Sequence, residues 1–148
     1  MRVVIQAEVS GHYKQVFNAF DEKLFRYLLP SFPKMELKKF TGSSKGDVVH
    51  IYMHVLGGQD WVSDITEDAC SSNECYFVDE GRQLPFPLRS WRHKHRILKT
   101  ADQTSIIRDE IEFSSGFQLL DYLIYPFLYL AFYPRKKAYK KFFEQYEK

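Results

Sequence analysis

The residues best suited to chemistry lie in one short segment, in which residues 91–97 have the sequence Trp-Arg-His-Lys-His-Arg-Ile. In a β-strand, successive side chains point to opposite faces of the sheet, so Trp91, His93 and His95 share one face. The opposite face carries only arginine and lysine and must therefore lie in water. The sequence predicts that the indole and both imidazoles point inward, where an imidazole can bind a polar group or transfer a proton near neutral pH.

The next predicted strand brings a carboxylate to the same face. Residues 103–113 alternate in the same way, and their glutamates suit the solvent face, so Asp109 points inward. A tight turn between the strands puts Asp109 opposite His93, and a slip of two residues puts it opposite His95. Because a buried carboxylate is costly unless it is paired, either register predicts an aspartate–histidine pair, which serves either to brace the sheet or to recognise a ligand.

We predict that these groups are the few polar contacts of an apolar pocket. The candidate ligand-binding residues are Trp61, Asp79, Trp91, His93, His95 and Asp109. Three of them, His93, His95 and Asp109, are also the candidates for acid–base catalysis, since the chain has no nucleophile motif and no glycine-rich phosphate loop. The pattern favours ligand recognition, with catalysis as an alternative.

A metal site is the competing interpretation of the two histidines. His-x-His on a strand can supply two ligands on one face, and Asp109 or Asp79 could supply a third, a set that zinc accepts. The spacing alone is weak evidence, because the sequence has neither a cysteine cluster nor an HExxH helix to support it. We therefore predict no metal and no other cofactor. The remaining histidines are expected in solvent (His50 and His54) or at a helix start (His12).

The rest of the chain supplies the elements that must position these residues. Alternation predicts a first strand over residues 3–9, after which Ser10 and Asp21 are expected to cap two short helices. Period-two patterns then predict six strands, near residues 34–40, 47–56, 59–68, 74–80, 87–99 and 103–113. After the last strand the apolar period is helical, and Pro126 and Pro134 should kink or divide this C-terminal helix. The predicted fold class is α+β, with a curved antiparallel sheet of seven strands around one long helix.

Three short motifs in the same region resemble those of a known superfamily. They are Phe77-x-Asp79-x-Gly81, Pro85-Phe86 and Trp91-x-His93-x-His95. They are similar to motifs of the START-like, or SRPBCC, superfamily with its Bet v 1-like helix-grip fold. The likeness is to the small bacterial stand-alone members related to polyketide cyclase/dehydrase-like proteins and to proteins named cell-division inhibitors. The resemblance covers nearly the whole chain and implies a cavity for a lipid-like, polyketide-like or other apolar ligand. Leu84 precedes the proline where relatives often have glycine, so the entrance loop is expected to differ in shape.

Length and composition set bounds on the function. The chain has 148 residues, which fits one START-like ligand-binding domain over residues 1–148. Its 13 Phe, 10 Tyr and 2 Trp supply enough ring surface for a pocket wall as well as a core. The main hypothesis is binding or carrying a hydrophobic small molecule between the sheet and the C-terminal helix. The alternative is a cyclase/dehydratase-type enzyme, with His93 or His95 as general base and Asp109 setting its tautomer.

Charge and local composition address partners and location. The net charge of +2 is too small for nucleic-acid binding across the whole surface. From Pro134 onward there are six basic and two acidic residues, so a second alternative is a peripheral module that binds an anionic membrane or a partner through this helix. Residues 119–133 are apolar but shorter than the ~20 residues of a spanning helix. With no secretory signal at the N-terminus, we expect a cytoplasmic protein. Cys70 and Cys75 flank a polar turn and could approach each other across a hairpin, but in a reducing compartment we expect two free thiols.

Overall fold

Seven strands form one antiparallel sheet in the computed structural model, which describes residues 1–145. The strands are β1 (Arg2–Ser10), β2 (Met35–Phe40), β3 (Val48–Met53), β4 (Gln59–Cys70), β5 (Glu74–Gln83), β6 (Ser90–Ala101) and β7 (Thr104–Ser114). Their order across the sheet is β1-β7-β6-β5-β4-β3-β2, so β2 to β7 form a meander and β1 pairs with the last strand. The predicted α+β class and the curled seven-stranded sheet are confirmed.

Two short helices follow β1, and two longer ones end the described chain. They are α1 (Tyr13–Asn18), α2 (Glu22–Leu28), α3 (Gln118–Phe132) and α4 (Arg135–Glu144). Asp21 caps α2 as predicted, since its Oδ1 accepts a hydrogen bond from the Leu24 backbone N–H at 3.0 Å. The prediction that Ser10 caps α1 is wrong, because Ser10 is still part of β1 and pairs with Thr104 of β7. His12 caps α1 instead, with Nδ1 accepting from the Lys14 N–H at 3.4 Å.

The C-terminal helix is divided, as its two prolines predicted. Pro126 lies inside α3, and Pro134 precedes α4, where its fixed φ suits the start of a helix. Within residues 1–145, no helix combines the length and the apolar character needed to cross a membrane. The last three residues of the predicted basic segment, 146–148, lie outside the described residues.

The two C-terminal helices pack against the sheet to different extents. α4 contributes three buried rings, Tyr139, Phe142 and Phe143, to a core cluster that includes side chains of β1, β7, α1 and α2. The inward side chains of α3 pack against Trp61 and Trp91, whereas several large apolar side chains of this helix remain exposed. α4 is therefore anchored in the core, while α3 covers one end of the concave face of the sheet.

The two cysteines form a disulfide, which corrects the expectation of free thiols. Cys70 ends β4 and Cys75 lies near the start of β5, and the strand register pairs them directly across the hairpin. Their Cα atoms are 4.0 Å apart and their sulfur atoms are bonded. The turn between them is short enough to hold the two side chains together. Disulfides are rare in reducing compartments, so this bond bears on the cytoplasmic location, which stays a prediction.

Candidate functional site

Strands β5, β6 and β7 bring the predicted polar residues together on the concave face of the sheet. Trp91, His93 and His95 are 5%, 3% and 4% exposed, which confirms the predicted alternation. The register of β6 and β7 places His95 opposite Asp109, the second of the two alternatives. The register of β5 and β6 places Asp79 opposite His93. Each histidine thus has an aspartate directly across from it on a neighbouring strand.

Asp109 is enclosed by three polar side chains, two of which hydrogen-bond to it, and it has no exposed surface. Its Oδ1 lies 3.1 Å from Nε2 of His93, which donates to it, and its Oδ2 accepts a hydrogen bond from the Tyr139 hydroxyl at 3.0 Å. Nδ1 of His95 is 2.9 Å from Oδ1, but the angle does not make a hydrogen bond, so this contact is electrostatic. The carboxylate therefore joins both histidines of β6 to helix α4.

Asp79 occupies the other side of the same two imidazoles. Its Oδ1 accepts a hydrogen bond from the Trp91 indole N–H at 3.1 Å. Its Oδ2 lies 3.0 Å from Nε2 of His95 and 3.5 Å from Nδ1 of His93. The Asp79 side chain is 15% exposed, in contrast to the fully buried Asp109. The two histidines thus bridge a buried carboxylate and a partly accessible one.

Aromatic rings hold the imidazoles in this orientation. The His93 and His95 rings lie against each other with centroids 3.6 Å apart. Phe77 stacks on His95 at 4.3 Å with only 13° between the planes, and Phe132 meets His93 edge-on at 5.5 Å. Because both rings are packed on their faces or edges, neither can turn away from its carboxylates without losing ring contacts.

Burial and the neighbouring charges shift the pKa values of the four groups. Burial alone would raise the pKa of both carboxyls, but the hydrogen bonds and positive charge of the imidazoles outweigh it. The pKa of Asp79 is thereby lowered, and that of Asp109 is held well below its usual range. Burial lowers the pKa of His93, and the nearby charge of His95 lowers it further. Burial also disfavours charge on His95, but its contacts with Asp109 and Asp79 outweigh this and raise its pKa. These shifts favour the charged form of His95 and the neutral form of His93 between the two carboxylates.

The phenol of Tyr139 stays protonated beside this cluster. Burial and the negative charge of Asp109 both raise the pKa of Tyr139 well above its usual value. The hydroxyl is consequently a fixed hydrogen-bond donor to Asp109 rather than a proton acceptor. Its role at this site is to satisfy one oxygen of a carboxylate that no water reaches.

A cavity of about 230 Å³ lies between the sheet and helices α2 and α3, next to the cluster. Its walls are largely aliphatic and aromatic, and include Leu24, Leu28, Val49, Ile51, Ile65 and Leu128. Asp79, His93 and His95 form a polar corner in this wall. Phe127 also lines the cavity and is 75% exposed, so the cavity reaches the protein surface beside α3.

All six predicted ligand-binding residues lie either in the wall of the cavity or directly behind it. Five of them line it, namely Trp61, Asp79, Trp91, His93 and His95. Trp61 packs edge-on against Trp91 with ring centroids 4.6 Å apart. Asp109 does not line the cavity but lies behind the imidazoles. A molecule in the cavity would therefore meet the histidines and Asp79 directly, and Asp109 only through them.

Sequence patterns did not reveal Tyr139 or Arg135 as members of this region. Tyr139 lies seven positions after Phe132 and four before Phe143, a helical spacing that could have indicated its inward direction. Its contact with Asp109 spans 30 residues of sequence and has no local signal. Arg135 lines the cavity, with its guanidinium 4.4 Å from the centre of the Phe132 ring.

The remaining histidines lie away from the cavity. His54 is exposed as predicted, whereas His50 is only half-exposed, because its Nε2 lies 2.7 Å from an oxygen of Asp60 on β4. His12 is the α1 cap described above. These three histidines do not line the cavity.

Comparisons with known proteins identify the fold. No family model and no curated protein matches the chain, but several solved structures do. A norcoclaurine synthase point mutant from Thalictrum flavum, in complex with a transition-state analogue, has a TM-score of 0.69 at 12% identity, covering 100% of this chain and 96% of that one. The Zhui aromatase/cyclase from a Streptomyces species gives 0.65 at 12% identity, with the same coverage. A START superfamily protein from Mycobacterium smegmatis gives 0.64 at 11% identity, covering 97% of each chain. These likenesses confirm the START-like fold predicted from the sequence motifs.

Proposed function

We propose that this chain with the START-like fold binds an apolar small molecule in the cavity, with one polar end of the molecule at the Asp79–His95 corner. The observation that carries the proposal is the distribution of polarity in the cavity. Its walls are mostly hydrocarbon, whereas two imidazoles and a carboxylate meet at one corner. A cavity of this kind suits a ligand that is apolar along its body and polar at one end.

The apolar wall supplies the affinity, and the polar corner supplies the orientation. Burying about 200 Å² of ligand surface would contribute roughly 5 kcal/mol before the cost of association. Asp79 is the partly accessible carboxylate, and its oxygens already accept from Trp91 and His95. A hydroxyl is the simplest group to complete this corner, because it can donate to an Asp79 oxygen or to the unprotonated Nδ1 of His93.

Displacement of a fluorescent probe tests this proposal. N-phenyl-1-naphthylamine, an apolar dye, should bind the wild-type chain saturably at one site. Val49→Trp fills the cavity from β3 and should weaken dye binding at least about tenfold, the effect of losing roughly 1.4 kcal/mol. Val4→Trp is the matched control, because Val4 is a valine on β1 whose side chain is 37% exposed.

The control variant should bind the dye within about twofold of the wild type. Saturable binding that is equally strong in Val49→Trp would show that the dye binds elsewhere, and absence of saturable binding to the wild type would reject the proposal. Native mass spectrometry of the purified wild type would then identify any molecule that copurifies, and the same molecule should be missing from Val49→Trp.

A second proposed function, docking to an anionic lipid surface, is favoured by the exposed side of α3. Large apolar side chains follow this side at helical spacing. They include Leu119, Tyr122, Leu123, Phe127, Leu130 and Tyr133, which are 48–76% exposed. Apolar patches of this extent mark interaction surfaces. The tyrosines among them suit the boundary between lipid and water, where an amphipathic ring keeps its hydroxyl hydrated.

Charge complementarity indicates a lipid surface as the occupant. Lys137, Lys140 and Lys141 are exposed on α4, directly after the apolar stripe. A helix that combines an apolar side with adjacent lysines is attracted to anionic headgroups while its rings enter the interface. Phe127 belongs both to this stripe and to the cavity wall, so docking would bring the cavity mouth to the source of an apolar ligand.

Vesicle co-sedimentation tests the docking surface. The wild type should bind vesicles of phosphatidylcholine and phosphatidylglycerol in equal parts and bind less to phosphatidylcholine alone, with the difference shrinking at high salt. The double variant Leu123→Glu/Leu130→Glu should lose about tenfold or more in binding, whereas Val4→Glu, on β1, should not. Equal vesicle binding by both variants would reject the proposal that the exposed side of α3 docks to the lipid surface. A wild type that sediments as a dimer and ignores both vesicles would show that a second copy covers α3 instead.

A further inference from the structure

We propose that Asp79, His93 and His95 bind a divalent transition-metal ion, with zinc as the expected occupant. The ligand atoms would be Oδ2 of Asp79, Nδ1 of His93 and Nε2 of His95. Two imidazoles and one carboxylate form a set of three protein ligands that zinc accepts in sites with an open fourth position. This proposal departs from the sequence-based expectation of no metal.

Two of the three separations between the ligand atoms are already close to those that such an ion needs. Two ligands at about 2.0 Å from a tetrahedral zinc ion are about 3.3 Å from each other. Oδ2 of Asp79 lies 3.0 Å from Nε2 of His95 and 3.5 Å from Nδ1 of His93. All three atoms lie within 4.8 Å of one another. Small side-chain adjustments would therefore admit an ion. The ion would replace the proton in the hydrogen bond between His95 and Asp79.

Each proposed ligand also has a partner that would fix its orientation. Histidine ligands of metals usually donate their second ring N–H to a carboxylate or carbonyl, and this outer contact is part of the site. Nε2 of His93 donates to Asp109 at 3.1 Å, and Nδ1 of His95 lies 2.9 Å from the same oxygen, so a small rotation of the His95 ring would add the second hydrogen bond. Oδ1 of Asp79, the oxygen that would not bind the ion, accepts a hydrogen bond from the Trp91 indole. With its second oxygen held by Tyr139, Asp109 can serve both imidazoles at once.

Burial and charge favour the same ion. The two histidines are 3% and 4% exposed, so competing water is scarce at the imidazole side of the site. Asp79 and Asp109 together place two carboxylates around the position of the ion, which matches a divalent charge. Asp79, His93 and His95 all line the cavity, so the fourth position faces its interior. If the proposed ligand also binds there, an oxygen at its polar end would face the ion, and this last step alone rests on the proposed function.

Metal uptake by the full chain tests the site. The chain, prepared without an affinity tag and stripped with a chelator, is mixed with zinc sulfate, passed through gel filtration and assayed for retained zinc by mass spectrometry. We expect one equivalent to be retained by the wild type. Cobalt chloride should give the strong visible absorption of a four-coordinate cobalt ion with imidazole and carboxylate ligands.

Three variants separate this site from adventitious binding. Asp79→Asn removes a ligand but keeps an oxygen of the same shape for Trp91 and His95, and should weaken zinc binding about tenfold or more. Trp91→Phe leaves all three ligands in place and should weaken it about ten- to hundredfold, the usual effect of losing an outer partner. The control is His50→Gln/His54→Gln, which removes the two outer histidines and should still retain one equivalent.

The proposal is overturned if the wild type retains no zinc, if Asp79→Asn retains as much as the wild type, or if the control loses the ion. Circular dichroism and melting temperature establish that each variant is folded. Dye binding by the metal-free wild type separates the two proposals. Intact dye binding without zinc uptake rejects the metal site alone, whereas zinc uptake without dye binding rejects the apolar-ligand site alone.

Discussion

The Tyr139 hydroxyl donates a hydrogen bond to Oδ2 of Asp109 at 3.0 Å, which joins the C-terminal helix to the histidine pair in the middle of the sheet. Both groups are buried, and the other oxygen of Asp109 is taken by His93. The bond therefore makes the position of α4 and the geometry of the polar cluster depend on each other.

Removing only the hydroxyl measures this dependence. Tyr139→Phe keeps the ring but leaves Oδ2 of Asp109 without a partner, so we expect the free energy of unfolding to fall by about 1–3 kcal/mol. Urea unfolding followed by tryptophan fluorescence measures the loss. Tyr133→Phe, whose ring is 48% exposed, is the control and should change stability by less than about 0.5 kcal/mol. Equal effects of the two variants would contradict the assigned hydrogen bond.

Removing the Asp109 carboxylate should lower the free energy of unfolding more than removing the Tyr139 hydroxyl does. Asp109→Ala leaves two buried imidazoles and a tyrosine hydroxyl without their common partner, and we expect a loss of about 3–5 kcal/mol in unfolding free energy. Asp102→Ala, at a turn position that is 93% exposed, is the matched control. In a double-mutant cycle, Tyr139→Phe should have little further effect in the Asp109→Ala background. Full additivity would show that the two side chains do not interact.

Acid should weaken a cluster of ion pairs on the outer face of the sheet, in which Glu110 contacts three arginines. Burial would raise the pKa of Glu110, but the hydrogen bond from Arg96 and the charges of Arg96, Arg2 and Arg108 outweigh it and lower the pKa below its ordinary 4.5. A carboxyl with a lowered folded-state pKa stabilises the fold above its unfolded-state pKa, and this contribution is lost as the pH falls through the folded-state value.

Glu110→Gln should therefore be less stable than the wild type near neutral pH, by about 1 kcal/mol or less because the cluster is partly solvated. The difference should shrink as the pH falls below about 4.5 and should be smaller in high salt. Urea unfolding at a series of pH values measures it. Glu112→Gln, an exposed neighbour on β7, serves as control. A difference that grows on acidification would contradict the assigned sign.

Reduction should destabilise the β4–β5 hairpin. The Cys70–Cys75 bond closes a short loop, for which the loss of chain entropy in the unfolded state gives about 2 kcal/mol. The wild type should melt at a lower temperature with a reductant present, and Cys70→Ser/Cys75→Ser should melt at that lower temperature with or without it. If the unfolded, unreduced wild type reacts with two equivalents of a thiol reagent, the bond is absent from the isolated protein.

The sequence patterns predicted the sheet and the polar face well, because both depend on local alternation. Three cations, at positions 92, 94 and 96, alternate with Trp91, His93 and His95 and leave little choice of which face is buried. The partner of each histidine was not predictable to the same degree, since the choice between two registers depends on the length of the turn before β7. Asp79 was correctly expected near the cavity, but its contact with both imidazoles depends on the β5–β6 register.

Two of the missed features, the role of Tyr139 and the position of Ser10, depend on contacts that are not local. Tyr139 reaches Asp109 only because α4 lies across β1 and β7, and no spacing within α4 distinguishes it from its neighbours Phe142 and Phe143. Ser10 has the composition of a helix cap, but pairing with β7 keeps it in the strand. The cysteines were judged by the expected compartment, whereas the hairpin register brings them together.

Because the C-terminal helix is interrupted at Pro134, its two halves are held in place by different contacts. α4 is fixed by Tyr139 and by its two buried phenylalanines, so this helix forms a rigid foundation in the core beside the cavity. α3, with Phe127 at the rim and its outer side exposed, is joined to that foundation through a two-residue interruption at residues 133–134. A displacement of α3 would therefore widen the entrance while Tyr139 keeps its hydrogen bond to Asp109, and Phe132, at the end of α3, would pass the movement on to the His93 ring that it contacts.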